Sequence, residues 1–592
     1  MPGFFGFISN KETALEKDIE IYDIIEANDN LIEEKNTVNT PNLYGRFFRN
    51  TVKKFEQDKT FSQNEEAFFI VDGVILNKLD LMEKYEIKDR NMFSLTQKMA
   101  QSASKPFFNE FRGHFSGVFL DKTSHTFNLY TNHIGNKEVF YYLDKQTDIL
   151  YFGTDIDILV KLVHKHAGKR FKLKKNAAYS MITHSYTLCN DTLFEDMYRL
   201  TPGHYLQYSA NGIEKKCYFE IDNTPIDITE EEAMAKIDEL FRNSVKRSFE
   251  KDKEYGYKHI AALSGGLDSR MTTWVAHDMG YTDTLSYTFS QTDYMDETVP
   301  KKMASELKNE WLFKSLDNGI YLYKYFEEAV KISGGRCQSC SITPTLSMAN
   351  TLNMDQFGIV HTGHLGGAIL GTYYEKGRKQ EFHPGSGANS TRLIEKVQYT
   401  EENSFHLKDK EIFKLYNRGF TGNLMGLKPF LKTTEAISPY TDVEFMSFTL
   451  TLPFKYRTGH NIYIKWINKY YPEAANFVYD KVKGKINRKL IRVKGVSIPW
   501  TSIPAAFVKL VKIKLGLKLN SKNHMNPIDY WAKINPDLSN FYQESFNKNI
   551  DLIKDEELKK DCQFAFESGN SMEKDQIISF MEFLRIMKGY ME

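Results

Sequence analysis

The stretch that most constrains this chain is His259-Ile260-Ala261-Ala262-Leu263-Ser264-Gly265-Gly266-Leu267-Asp268-Ser269-Arg270. It opens as a short apolar run, which reads as a buried strand, and breaks on two glycines. From Leu267 onward the apolar residues Leu267, Met271, Trp274 and Val275 recur at helical spacing. A strand, a glycine turn and a helix start together present free backbone N–H groups and the positive end of a helix dipole, which suits a phosphate. Gly265 and Gly266 let the backbone approach an anion with no Cβ in the way. Ser264 and Ser269 add hydroxyl donors, and Asp268 adds a carboxylate able to hold Mg2+. A Gly-Gly pair alone is an ordinary strand-to-helix turn. The whole Ser-Gly-Gly-Leu-Asp-Ser string after a strand is far more specific.

That string resembles the pyrophosphate-binding loop of the N-type ATP pyrophosphatases, and of asparagine synthetase-like enzymes in particular. The resemblance implies ATP and Mg2+, with Ser264, Gly265, Gly266, Leu267, Asp268 and Ser269 around the pyrophosphate and Asp268 on the metal. In such enzymes ATP is cleaved between its α- and β-phosphates. A carboxylate takes the α-phosphoryl group, and an amine then displaces AMP. No Gly-x4-Gly-Lys-Ser/Thr loop stands at this point, so this is not a Walker A site.

At 592 residues the chain is long for a single core, and two or more domains are expected. A net charge of +1 gives no electrostatic reason to expect a nucleic-acid partner. No apolar run is long enough to span a bilayer, and Met1 to Phe7 has neither the basic start nor the apolar stretch of a signal peptide. Five scattered cysteines suit a reducing compartment, so a cytoplasmic protein is expected. Cys337-Gln-Ser-Cys340 is a single CxxC without a second pair and reads as two unpaired thiols.

In the first two hundred residues, strand-like segments recur at short intervals with polar turns between them: 66–71, 117–120, 127–131, 140–142 and 150–152. The spacing predicts a largely antiparallel sheet system. Asp72-Gly73-Val74-Ile75-Leu76-Asn77 resembles the Asn-Gly-Glu-Ile-Tyr-Asn segment of class II glutamine amidotransferase domains. Three further segments resemble that domain in the same order: Gly135 to Tyr142, Leu150 to Asp155, and Leu200 to Leu206. The implied fold is an Ntn-type antiparallel sandwich over residues 1–225.

The departure lies at the amino terminus. In that family Cys becomes the first residue, its thiolate attacks the glutamine amide, and its own α-amine is the base. Here the neighbouring Gly3-Phe4-Phe5-Gly6 survives, but position two is Pro. Asp72 also replaces the Asn of the oxyanion-hole pair and puts negative charge where an oxyanion would develop. The expectation is a domain that does not hydrolyse glutamine.

Asp222-Asn223-Thr224-Pro225 is a turn cluster, and Thr229 stands three residues before Glu232 at capping-box spacing. Residues 226–490 then alternate strands and helices, which predicts a mostly parallel sheet, and the resemblance implies that it is of adenine nucleotide α-hydrolase type. Thr284 to Ser290 is the second strand of this part, and the resemblance makes Ser286, Tyr287, Thr288 and Phe289 adenine-site candidates. Asp296-Glu297 matches an acidic pair of the family, and is equally well a helix N-terminal charge. Gly363 to Tyr373 resembles Ser-Gly-Glu-Gly-x-Asp-Glu-x-Phe-Gly-Gly-Tyr, but Gly367 replaces the second Mg2+ ligand and Ala368 the following Glu. His364 stands where asparagine synthetases carry Glu and β-lactam-forming relatives carry Tyr, which makes it a candidate general base. A His that merely bonds the loop is the plainer alternative. Ser438 to Phe445 and, loosely, Tyr463-Ile464-Lys465 continue the resemblance. Lys483 best aligns with the family Lys that neutralises phosphate charge, with Lys481 and Lys485 as alternatives and a solvated basic turn as the plain one.

Beyond residue 490 the resemblance fades, and 491–592 reads as a helical extension of the second domain. Lys509 to Lys518 is basic and apolar, and reads as a cationic edge rather than a membrane contact. Ile577 to Ile586 is an apolar helical run expected to dock on the second domain. The reading is an AMP-forming ligase with a silent first domain, as in β-lactam synthetases and lasso peptide cyclases, acting on a small molecule or peptide that carries a carboxylate and an amine. Amidation by free ammonia and a non-catalytic nucleotide-binding protein stay open as alternatives, as does a homodimer.

Overall fold

A computed structural model describes residues 2–10, 19–40, 42–102, 105–374, 377–405, 407–488, 490–493, 496–499 and 522–592. The basic stretch Lys509 to Lys518 lies outside them.

The first part is two antiparallel six-stranded sheets. Its strands are β1 (Gly3–Ser9), β2 (Leu31–Thr40), β3 (Leu43–Val52), β4 (Thr60–Gln63), β5 (Ala67–Ile75), β6 (Gly113–Asp121), β7 (Thr126–Thr131), β8 (Phe140–Asp144), β9 (Ile149–Gly153), β10 (Met197–Arg199), β11 (His204–Ser209) and β12 (Gly212–Cys217). One sheet runs β10-β8-β9-β1-β3-β2 and the other β12-β11-β7-β6-β5-β4. Alternation sets the layering, because every second side chain of a strand faces the other sheet. Phe4, Phe47 and Phe152 from the first sheet meet Phe68, Val118 and Leu129 from the second in one buried cluster. The Phe47 and Phe68 rings lie 4.5 Å apart across the gap.

The second part begins with a helix, Glu230–Glu254, whose Thr229 and Glu232 close the capping box that their spacing announces. A five-stranded sheet follows, built from β13 (Lys258–Ala262), β14 (Thr284–Ser290), β15 (Trp311–Ser315), β16 (Phe357–His361) and β17 (Ala436–Ile437). Its order is β15-β14-β13-β16-β17, and all four pairings are parallel. The chain steps outward from β13 to one side and then returns to place β16 on its other side. Such a reversal opens a crevice at the carboxyl ends of the two central strands. The mixed α/β class is therefore that of an antiparallel sandwich followed by a parallel-sheet domain. No described helix is long and apolar enough to cross a membrane.

Beneath the sheet, Asp252 at the end of the first helix accepts from His259 Nδ1 at 2.9 Å and His361 Nε2 at 2.8 Å. The three groups are buried, and this shared carboxylate pins β13 and β16 to the helix that precedes them.

The final helix departs from expectation. Ser571–Met587 does not pack on the second part alone; it lies between the helices Lys175–His184 and Phe326–Ser333, and so touches both parts of the chain. Its apolar residues surround it instead of lining one face: Ile577, Ile578, Phe580, Met581, Phe583 and Leu584 are all buried. A helix apolar all round has to be enclosed. Asp575 adds hydrogen bonds from Ser339 Oγ at 2.8 Å and Cys340 N at 3.0 Å. All five cysteines are free, and burial pushes the Cys337 thiol up to about 12.

The two parts also meet through buried charge. Asp72 accepts from Thr51 Oγ1 at 2.5 Å, and Lys137 lies 3.7 Å from Asp72 and 2.6 Å from Glu435, the residue before β17. Lys137 is the cation between two buried carboxylates. Removing one partner of a buried ion pair strands the other. Lys137→Met is therefore expected to cost about 3–5 kcal/mol of stability, seen as a lower denaturant midpoint in equilibrium unfolding; an unchanged midpoint would show that water screens this network.

Candidate active site

The Ser264–Ser269 loop leaves the carboxyl end of β13 and enters the helix Asp268–Asp278. Leu267 is the N-cap residue and no side chain caps this helix. Its first-turn N–H groups are therefore open to an anion. Within the loop, Ser269 Oγ accepts from Ser264 N at 2.9 Å and lies 2.9 Å from Ser264 Oγ. Ser264 Oγ in turn receives Gly266 N at 3.3 Å. These contacts set the turn before any ligand arrives.

The loop after β16 packs directly on it. Gly363 presses on the backbone of Asp268 and Ser269, and a Cβ on Gly366 would stand 2.7 Å from Asp268 Cγ. Asp268 Oδ2 accepts from Gly367 N at 2.8 Å, and Asp268 Oδ1 accepts from Tyr463 Oη at 3.1 Å. Tyr440 Oη donates to the Asp268 carbonyl at 3.1 Å and lies 2.7 Å from Tyr463 Oη. His460 Nε2 sits 3.1 Å from the Gly367 carbonyl oxygen. Gly367, which replaces the family's second carboxylate, thus supplies a backbone donor to the first one.

Two further carboxylates flank the loop. Asp296, at the start of the helix Met295–Glu306, accepts from Gly265 N at 2.7 Å. Asp480 follows the short strand Val478–Tyr479 and its backbone N reaches the Gly265 carbonyl at 3.4 Å. Burial raises the Asp268 and Asp296 carboxyls to about 6, and the charge of Asp480 adds to both shifts. Among the described residues the oxygens of Asp268, Asp296 and Asp480 do not converge on one cation position. Asp268 at the loop fits Mg2+ as a single protein ligand, with phosphate oxygens and water completing the shell. Lys481 bears on Asp268 and Lys483 on Asp296, each easing the carboxylate it faces. Lys483 has a left-handed backbone, φ 54°, and its ammonium stands 5.6 Å from the Tyr294 ring centre. Lys485 lies in the short strand Gly484–Lys485 that pairs with Val478–Tyr479.

Arg270 fastens this basic turn to the loop. Its buried guanidinium donates to carbonyls of Gly265 at 3.0 Å, Ala474 at 3.1 Å, Phe477 at 3.2 Å and Val478 at 2.7 Å. Burial lowers it to about 10, against the opposing charge of Asp480.

The adenine-site candidates lie on β14, parallel to β13. Ser286 is buried in mid-strand with Asn309 Nδ2 at 3.3 Å from its hydroxyl. Tyr287 gives its carbonyl to Leu263 N at 2.9 Å, and Thr288 Oγ1 donates to the Leu263 carbonyl at 2.6 Å. Thr288 also accepts from Trp311 Nε1 at 2.9 Å. Phe289 is partly buried near the carboxyl end of the strand. His364 precedes the Gly366 contact; Ser438 Oγ donates to its carbonyl at 2.7 Å, and its imidazole has no hydrogen-bond partner among the described residues. Desolvation lowers it to about 4.

Sequence reading found the loop but missed its supports. Asp296 was visible as half of an acidic pair, and Tyr440 and Tyr463 lay inside recognisable segments. Arg270 adjoins the loop in sequence, but nothing local shows that it reaches Ala474, Phe477 and Val478, and nothing local marks His460 or Asp480 as neighbours of the loop.

Residues 53–219 match the glutamine amidotransferase domain family, and residues 236–418 match the asparagine synthase family. With these domains in this order, the chain belongs to the asparagine synthetase-like family. Its second domain is that of an ATP-dependent amidation ligase. No curated protein matches it. Among solved structures it is similar to the glutamine phosphoribosylpyrophosphate amidotransferase of B. subtilis complexed with ADP and GMP, at 9% identity over 46% of this chain and 77% of that one, with a TM-score of 0.22. A second, titled the allosteric regulatory enzyme of purine biosynthesis, shares 7% identity over 53% of this chain and 74% of its own, with a TM-score of 0.23. Both likenesses are too slight to bear on function.

Gly366→Ala tests the packing of the two loops. The added methyl has to displace the Asp268 carboxylate, so Mg-ATP binding measured by calorimetry is expected to weaken by about tenfold or more. Tyr463→Phe removes one donor to the same carboxylate and is expected to weaken it less, by about 1 kcal/mol.

Proposed function

We propose that this protein is an ATP-dependent, amide-forming ligase that activates a carboxylate by adenylation and does not use glutamine. The observation that carries the proposal is the uncapped helix N-terminus at Leu267, framed by Ser264, Ser269 and the acids Asp268, Asp296 and Asp480 at the reversal of the parallel sheet. A substrate carboxylate oxygen attacks the α-phosphorus and pyrophosphate leaves into the loop. The substrate amine then attacks the acyl carbon, AMP leaves, and the proton on nitrogen passes to a base. Mg2+ held by Asp268 would neutralise pyrophosphate charge; the charges of Lys481 and Lys483 bear on Asp268 and Asp296 beside it. The loop N–H groups and the two serine hydroxyls hold the leaving group, and Arg270 keeps the basic turn against them.

Two features support an amine that does not come from glutamine. Pro2 offers no thiol. Asp72, at the oxyanion-hole position, is buried and bonded to Thr51 with Lys137 beside it. The charge of Lys137 and Lys59 holds its carboxyl below the usual range against burial, so it stays ionised. A fixed anion there opposes an oxyanion. His364 is the candidate for the proton transfer by position, but with its imidazolium lowered to about 4 it is a neutral and weak base across the physiological range.

Pyrophosphate release from Mg-ATP, screened over carboxylic acids and peptides, tests the proposal. Release that depends on one acid is expected, and Asp268→Ala should lower it about 100-fold or more. Glutamine should yield no glutamate. Bound ATP with no release on any substrate would point instead to a nucleotide-binding protein without catalysis. The pH profile is a further check. A lowered imidazole pKa means the basic form is lost only as pH falls through about 4, so no ascending limb near about 6.5 is expected from His364.

A further inference from the structure

Asp252, His259 and His361 come from three elements: the end of the helix Glu230–Glu254, β13 and β16. Among the described residues they are the group of three metal-binding side chains whose ligand atoms all lie within 4.8 Å of one another. Two imidazole nitrogens and one carboxylate oxygen meet there, with His259 Nδ1 at 2.9 Å and His361 Nε2 at 2.8 Å from Asp252 Oδ2. All three side chains are buried. Among the described residues no lysine or arginine stands at ion-pair distance from Asp252; its partners of that kind are the two imidazoles. Lys54, whose ammonium feels that charge, is bonded to the Met354 and Phe357 carbonyls instead. Other buried carboxylates of this protein are matched: Asp58 by Lys78 at 2.9 Å, Glu411 by Arg457 at 2.7 Å and Asp442 by Arg247 at 2.9 Å. A buried carboxylate left with neutral partners is costly to the fold, and a divalent cation removes that cost.

The surroundings hold each ligand in place. Asp252 Oδ1, the oxygen not shared by the imidazoles, accepts from Ile359 N at 2.8 Å, which fixes the carboxylate plane. The Phe249 ring stacks on His361 at 3.7 Å and 11°, and Tyr281 meets His259 edge-on at 5.5 Å and 84°. Outer hydrogen bonds and an apolar shell of this kind orient metal ligands and control the access of water. His361 Nδ1 is buried with no hydrogen-bond partner, so the tautomer that leaves Nε2 bare for a metal gives up no bond on that side. Ligand atoms at about 2.0–2.1 Å from a tetrahedral zinc stand about 3.3 Å apart, so each imidazole needs to withdraw from Asp252 by only about half an ångström.

We propose that Asp252, His259 and His361 bind Zn2+, with a water at the fourth position, as a structural metal that joins the helix to the two central strands. Imidazole nitrogen suits zinc, whereas Mg2+ takes oxygen, so this site and Asp268 draw different cations. β13 runs into the Ser264–Ser269 loop, and His361 ends β16 just ahead of Gly363, which presses on that loop. Zinc here fixes the bases of both loops without touching a substrate. The proposal does not depend on the ligase reading.

Metal analysis of the full chain tests it. Protein grown with zinc as the only added transition metal is passed over a chelating resin and its metal content is measured. About one retained zinc per chain is expected. The zinc X-ray absorption edge should fit two imidazoles and oxygen at about 2.0–2.1 Å. Protein grown with cobalt instead should show the visible absorption of a tetrahedral centre. Asp268→Ala should keep its zinc. In His361→Gln and Asp252→Asn the affinity should fall about 100-fold or more, beyond the cost of losing an outer partner, so that the resin strips the metal. The proposal is overturned if the wild type retains neither zinc nor cobalt, if its absorption edge lacks the two imidazoles, if Asp268→Ala loses the metal, or if folded His361→Gln and Asp252→Asn keep it. Should those two variants fail to fold, the wild-type edge and the Asp268→Ala protein decide.

Discussion

The hydrogen bond from Gly367 N to Asp268 Oδ2 joins the two loops on which the second domain depends. One loop follows β13 and the other follows β16, the two central strands at the reversal of the sheet. Their contact is so close that glycine is needed at 363 and 366. In the relatives that this chain resembles, position 367 brings a second carboxylate. Here it brings a backbone N–H. The exchange trades a ligand for a tether: Asp268 is held in place by Gly367 and Tyr463, and the neighbouring negative charge comes from Asp296 and Asp480, which stand elsewhere in the chain.

Much of the fold was legible because pattern and period agree. The strands β6, β7, β8 and β9 each contain the strand-like segment read from the sequence, β5 covers all of its segment but Glu66, and Thr284–Ser290 coincides with its expected bounds. β1, β2 and β15 were missed for identifiable reasons. Gly3–Ser9 is buried throughout and carries two glycines, so it lacks alternation. Leu31–Thr40 is an edge strand rich in Glu, Asn and Thr. Trp311–Ser315 is a short edge with no buried face. At the site, a motif that gathers six residues in one turn can be read from sequence. Arg270, which bonds only carbonyls, cannot, since any buried arginine would look the same. The docking of the last helix was misjudged because periodicity shows that a helix must be covered, and does not say by what.

The first domain's sandwich carries buried charge at Asp72 and Lys59. Asp72, Lys137, Lys59 and Glu435 form a buried ionic group that crosses to the second domain. Asp58 adds another, with Lys78 at 2.9 Å and Lys251 at 3.2 Å. Fully paired buried charges add little net stability, but they penalise every arrangement in which they come apart. They fix one orientation of the two domains.

The helix Ser571–Met587 has a consequence for how the protein reaches that state. Phe5, Phe7 and Tyr151 of the sandwich share one core cluster with Ile577, Phe580 and Met581. The cluster between the two sheets closes within residues 4–208, but the outer face that carries Phe5, Phe7 and Tyr151 is not covered until Ser571–Met587 is in place. The nascent amino-terminal half has to wait with apolar surface uncovered, which is the condition that recruits chaperones. Cutting the chain between its domains should for the same reason yield two insoluble fragments, with the pair recoverable only when both are present together.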